Sequence, residues 1–215
     1  MKTECLGDKT QVSLAQTPLS KAVPAATTWQ APICYKRSRN GRVEPAACEV
    51  LSESSRTLTL DGCSSWLFAN VDSRGYYRTA YSPKDLDALE AAVRRKELTD
   101  VEETSLLEDE WTVVGLQQDS IARFLSLAEA ITDSGASPVI DTIAGHLNDI
   151  SDHLIDAEQR PATGGAGREA EPRRADVAAA ASGSEAALAG VSKREGDRAA
   201  EAPDAAGRRA DVQRD

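Results

Sequence analysis

Two hydrophobic periods run along this chain, and the change from one to the other falls at Ser82. Before it, apolar residues come in short alternating runs bounded by turn residues, the pattern of strands with one buried face. TQVSLAQ puts Val12 and Leu14 on one face. TWQAPICYK mixes aromatic and β-branched residues, with Pro32 placing it near a sheet edge or a strand start. RNGR is a tight-turn signal in which Asn40-Gly41 supplies positive φ. ACEVLSE, RTLTLDG with Leu58 and Leu60, WLFANV and YYRTAY follow. Six or seven short strands with turns about every 8–12 residues predict an Ig-like β-sandwich over residues 1–81.

From Ser82 the period is that of a helix. SPKDLDALEAAVRRK offers Ser82 as N-cap, Pro83 at the first helical position and Asp85 two residues on. Leu86, Leu89 and Val93 then form one stripe, and Arg94, Arg95 and Lys96 suit the negative end of the helix dipole. Thr99 and Glu102 make a capping box for a second helix, buried through Leu106, Leu107, Trp111, Val113 and Val114 and ending near Gly115. A third starts near Asp119-Ser120 and carries Ile121, Phe124, Leu125, Ala128 and Ile131. A fourth starts at Ser137-Pro138 with the stripe Ile140, Ile143, Leu147, Ile150 and Leu154. Short loops between them predict an antiparallel, HEAT-like stack over residues 82–160. Such a stack, stopping without a polar capping repeat, is expected to leave the apolar face of its last helix open, the mark of a piece of something larger.

Composition separates a third region. Residues 161–215 hold a single Leu, Leu188, and no Ile, Phe, Tyr, Trp or Met. Ala, Gly, Arg, Glu and Asp predominate, too little apolar surface to offset the entropy of ordering, so a disordered tail is expected. Its vocabulary is also that of a shifted reading frame of GC-rich DNA. The whole chain carries a net charge of −10, nearly all of it before residue 161. An acidic body argues against non-specific nucleic-acid binding and against docking on anionic membranes. No run of apolar residues is long enough to span a bilayer, and MKTECLGDKTQVSLAQTPL lacks a signal-peptide core. As given, the chain is expected to stay cytoplasmic.

All four cysteines, Cys5, Cys34, Cys48 and Cys63, lie in the strand-rich part, and none sits in a CxxC pair. That disfavours a cysteine zinc site and favours two structural disulfides. Cys34 and Cys48 flank KRSRNGRVEPAA and are expected to bridge a hairpin, which leaves Cys5 for Cys63. Four cysteines allow three connectivities, and the other two stay open.

Residues able to carry chemistry are few. His146 and His153, seven apart on the fourth helix, are the only histidines. Two turns separate their rings by about 10 Å, so exposed or helix-capping histidines are expected rather than a metal pair. The sequence contains no HExxH, GxSxG, GxxxxGK[ST] or strand-borne GxGxxG, and the glycine-rich TGGAG at 163–167 follows no strand. VEETSLLEDEW sets Glu102, Glu103, Glu108, Asp109 and Glu110 around one helix, expected to be a solvated face. Asp109 borders the stripe of Leu106 and Val113 and should take a salt bridge or cap from a neighbouring helix. WLFANVDSRGYYRTAY concentrates five of the nine aromatics around Asn70, Gly75 and Arg78. It reads as a last hairpin, with Trp66, Phe68, Tyr76 and Tyr81 packing inward and Arg78 a structural arginine between strands and helices.

These residues, in order and spacing, resemble a known family. Trp66, Asn70, Gly75-Tyr76-Tyr77-Arg78 and Tyr81, followed by a Pro-led helix, are similar to the segment after the catalytic domain of M1-family zinc aminopeptidases. There a small β-sandwich closes and a helical, ERAP1-like C-terminal domain begins. VSLAQTPL, TTWQAPICYK and the helices from Glu97 to Ile131 resemble the flanking parts of that family, so the likeness covers about residues 8–156. Glu103 and Thr79 depart from it, where the family usually has Arg and Val. The resemblance implies an α+β multidomain fold. It also implies a non-catalytic fragment that acts as spacer and active-site cap. The parent enzyme would remove N-terminal amino acids from peptides with zinc-activated water, but its HExxH and GxMEN motifs are absent here. No catalytic or metal residue is carried over and no cofactor is expected in this chain. A separate catalytic domain or a peptide is the implied partner, and the parent, by its cysteines and its secreted relatives, is expected in the periplasm or outside the cell. The alternative reading is a stand-alone protein- or peptide-binding module that docks through an exposed helix face; a metal-binding helix through His146 and His153 stands third.

Overall fold

The computed structural model describes residues 1–132 and 137–153. Expectations for Leu154, the 161–215 tail, TGGAG and the surroundings of His153 lie outside the described residues. Seven strands come first: β1 (Lys2–Leu6), β2 (Lys9–Ala15), β3 (Ala31–Arg39), β4 (Arg42–Val43), β5 (Ala47–Leu51), β6 (Ser55–Asp61) and β7 (Ser64–Ala69). Four helices follow: α1 (Pro83–Arg94), α2 (Asp100–Gly115), α3 (Ile121–Ile131) and α4 (Ser137–His153). The class is mixed, antiparallel sheets followed by helices.

One sheet has the order β1-β2-β6. The other is built on β3. Tyr35 pairs with Ala47 on one side and with Ala69 on the other, so β4 and β5 run in succession along one edge of β3 and β7 takes the opposite edge. Asn40 and Gly41 join β3 to β4 with φ of 52° and 73°, the two left-handed residues of a tight hairpin, as the Asn-Gly pair predicts. Leu14 and Val12 on β2 and Leu58 on β6 share one core with Ile33, Tyr35, Leu51, Leu67 and Ala69 of the second sheet.

A second core lies on the far side of β7. There Trp66 and Phe68 meet Leu86, Leu89 and Val93 of α1, Leu106 and Leu107 of α2, Phe124 of α3 and Ile143 of α4. Strand alternation sends Leu67 and Ala69 to one core and Trp66 and Phe68 to the other, so β7 is buried on both faces. The helices pack most closely as α1 with α3, α2 with α3 and α2 with α4. Ser82, Thr99 and Ser120 cap α1, α2 and α3, and the reciprocal Thr99–Glu102 box is complete.

Four expectations change here. β1 went unread because KTECL shows no apolar face; its side chains are mostly exposed. YYRTAY is not a strand, so the aromatic stretch is not a hairpin: Asn70, Asp72 and Ser73 all take positive φ and turn the chain out of the sheet after β7. The acidic run of α2 is not a solvated face, because Glu102, Glu103 and Glu110 are buried alongside Asp109, the one acid expected there. They recur at the helical spacing of Leu106 and Val113, so they sit within the inward stripe of a helix flanked by α3, α4 and the 71–73 turn. Finally, the α4 face is not open. Val139, Ile140, Ile143, Leu147 and Ile150 are buried, with α2 packed against the helix.

Candidate functional site

The segment from Asn70 to Ser82 joins the strands to the helices, and its own chemistry shapes it. Asn70 is buried with φ of 67°, a conformation its short polar side chain tolerates. That side chain closes the loop: Oδ1 accepts the Gly75 N–H at 2.6 Å and Nδ2 donates to the Gly75 carbonyl at 3.2 Å. At Gly75 a Cβ would fall 2.1 Å from Cε1 of Tyr77, so only glycine lets the Tyr77 ring lie over the loop. Gly75→Ala must displace that ring and is expected to destabilise by about 1–3 kcal/mol, read as a lower urea midpoint with an unchanged slope. A wild-type midpoint would remove the steric reading.

After the loop the chain bends through residues 75–77 and continues without regular secondary structure, and an in-out alternation persists without strand pairing. Tyr77, Thr79 and Tyr81 turn inward; Tyr76, Arg78 and Ala80 turn out. Tyr76 is therefore fully exposed and packs against nothing, contrary to expectation, while Tyr77 packs on the inter-sheet core. The Tyr81 hydroxyl accepts from the Ala69 N–H at 3.1 Å and donates to the Ala69 carbonyl at 3.4 Å, which ties the segment to the end of β7. Its ring stacks near Phe68, 6.5 Å between centroids. Ser82 N–H donates to the Met1 carbonyl at 2.9 Å. Asp85 then receives the Thr3 N–H at 3.0 Å, together with the Thr3 and Ser82 hydroxyls.

Two polar clusters hold this junction to the helices. In the first, Lys36 on β3 donates to Glu102 Oε2 at 2.5 Å and to the Glu97 carbonyl at 3.2 Å. Glu102 also accepts the Thr99 N–H at 2.8 Å, so one carboxylate caps α2 and pairs with the sheet. Trp66 Nε1 donates to Glu97 Oε2 at 2.6 Å, and Arg95 before it holds that carboxyl below the usual range despite partial burial. In the second cluster Arg78 lies 3.5 Å from Glu108 and 3.6 Å from Asp109. His146 Nε2 meets Glu108 Oε1 at 2.9 Å, its ring stacked on Trp111 at 4.4 Å and edge-on to Phe124 at 5.5 Å.

Asp109 is sealed from solvent, and burial pushes its carboxyl up to about 7 against the pull of the Thr79 main chain and of Arg78. Its partner, Arg78, comes from the linking segment before α1, not from a neighbouring helix as expected. Burial also raises Tyr77 to about 12 and Tyr81 well above its ordinary range. His146 is neither exposed nor a cap, because the α2–α4 packing closes aromatic rings around it.

Cys5 is joined to Cys63 and Cys34 to Cys48, the second pair directly opposed across β3 and β5. Among the described residues no group of three or more His, Cys, Asp or Glu could hold a metal ion. The donors do not fit zinc: His146 is enclosed by rings and spends Nε2 on Glu108. The junction can fasten; with Asp109 shut off from solvent, it offers no carboxylate pair to a substrate.

Trp66, Asn70, Gly75, Arg78 and Tyr81 thus share one junction, Tyr76 stands apart from it, and the four cysteines lie in the sheets. Sequence reasoning missed Lys36, Glu97 and Glu102 as its fasteners. Their signal was the spacing of 102, 106, 109 and 113, which puts acids and leucines on one stripe.

Known proteins place the same region. The family model of the ERAP1-like C-terminal domain matches residues 66–187, beginning at Trp66. The chain is 25% identical over 127 residues to Aminopeptidase M1 of Arabidopsis thaliana, a match that covers 52% of this chain and 14% of that protein. The chain belongs to the family of ERAP1-like C-terminal domains.

Proposed function

We propose that this chain is the non-catalytic C-terminal part of an M1-family zinc aminopeptidase and serves as spacer and active-site cap. The junction carries the reading. Strands pass to helices through Trp66, Asn70, Gly75, Arg78 and Tyr81, and the family match begins at the first of these. In this reading the two sheets are the family's Ig-like β-sandwich, residues 1–81, and the helices from residue 82 to about 160 are the first part of a HEAT-like stack. The parent removes N-terminal amino acids from peptides, and its zinc belongs to a catalytic part with which this chain would associate. The two disulfides support an oxidising compartment for the parent. A stand-alone docking module loses its main support, since the α4 face proposed to dock is covered by α2.

The purified chain is expected to show no hydrolysis of an aminoacyl-anilide above buffer, with or without added zinc. Chelator-sensitive release of the anilide would overturn the proposal.

A further inference from the structure

We propose that Arg78, Glu108, Asp109 and His146 form a proton-coupled latch, which holds residues 77–81 against α2, itself tied to α4, and loosens as the surroundings pass from mildly acidic to alkaline. This inference concerns the chain itself and does not depend on the parent enzyme.

Geometry carries it. Three elements far apart in sequence meet at one point: the segment before α1 brings Arg78, α2 brings Glu108 and Asp109, and α4 brings His146. A single guanidinium is divided between two carboxylates at 3.5 and 3.6 Å, both beyond the length of a direct charge-assisted hydrogen bond. Arg78 is also 40% exposed and partly spent on water, so it does not neutralise both. Neither oxygen of Asp109 makes a hydrogen bond among the described residues. The other titratable groups facing it are the phenols of Tyr77 and Tyr81, both uncharged around neutrality. Its neighbour Thr79 brings a main-chain N–H and a hydroxyl towards it, which favour the ionised carboxyl by less than burial opposes it. A proton taken from solvent onto Asp109 removes the buried charge.

The sign follows from linkage. The Asp109 carboxyl sits at about 7 in the folded chain and at about 4 when unfolded. Through that window the folded state holds a proton the unfolded state has released, so stability falls as pH rises and levels off above the folded value. Glu110, pushed up to about 7 by burial, faces Asp119 and Arg123 instead and contributes equally with or without Asp109.

The test is urea unfolding of the full chain at about pH 5.5 and about pH 8.5, where carboxyls of ordinary affinity are already ionised. Asp109 should raise the wild-type unfolding constant about thirtyfold across this range. Asp109→Asn should remove that rise, and amide exchange at 77–81 should lose protection at the higher pH in wild type only. Arg78→Met takes away the cation that favours ionised Asp109, so its fall in stability should continue to higher pH than in wild type. An arginine with only a structural role would lower stability equally at every pH. The proposal fails if Asp109→Asn keeps the wild-type slope, or if Arg78→Met leaves the window where it was.

Discussion

Lys36→Met is expected to destabilise the chain by about 3–5 kcal/mol, because it leaves the Glu102 carboxylate buried without its cation. The Lys36 side chain is 12% exposed and that of Glu102 1%, so water cannot take over the solvation. The same carboxylate caps α2 through Thr99, so the loss reaches the helix start as well as the sheet. Adding Glu102→Gln in the same molecule removes the stranded charge and should recover part of the stability. Urea unfolding followed by tryptophan fluorescence suits the measurement, since Trp66 lies beside Lys36. A loss under about 1 kcal/mol would mean the pair behaves like a surface ion pair.

The second large effect belongs to the cysteines. Cys5 and Cys63 are 58 positions apart, and opening a loop of that length returns about 4 kcal/mol of chain entropy to the unfolded state. The Cys34–Cys48 loop spans 14 positions and is worth about 3 kcal/mol on the same reasoning. Replacing Cys5 and Cys63 together by serine should therefore lower the melting temperature more than replacing Cys34 and Cys48. A reductant should reproduce both losses in the wild-type chain. Equal losses from the two pairs would mean that native packing around the bridges, rather than loop length, sets their worth.

Much of this was legible in local pattern. Helix starts were readable because capping is written in neighbouring residues: Ser82-Pro83, Thr99 with Glu102, and Ser120 all act within one turn. The Asn40-Gly41 turn was readable for the same reason, whereas YYRTAY forms no strand and turns Tyr76 out while Tyr77, Thr79 and Tyr81 turn in. What alternation could not tell is what a chain segment pairs with. Positive φ at Asp72 and Ser73 is imposed by the loop that Asn70 closes, and neither residue type announces it. Glu102, Glu103 and Glu110 of α2 were missed for a different reason. Charge was taken to mean water, whereas Lys36, distant in sequence, is folded back onto Glu102. The burial of Asp109 was readable from its place beside the apolar stripe; that Arg78 would be its partner was not. His146 shows the same limit: its ring is enclosed by Trp111 and Phe124, which come from two other helices.

The alternation of β7 has a bearing on how such a protein can be inherited in parts. The sequence changes period at Ser82, yet the packing has no seam there, because one strand supplies Leu67 to the inter-sheet core and Phe68 to the helices. A polypeptide ended at Tyr81 would retain all seven strands and present Trp66 and Phe68 to water as a bare aromatic patch, which invites self-association. One begun at Ser82 would lack the floor on which Leu86 and Leu89 rest. Recombination at the visible boundary would therefore damage both products, and the strands and helices of this fold travel as a single unit.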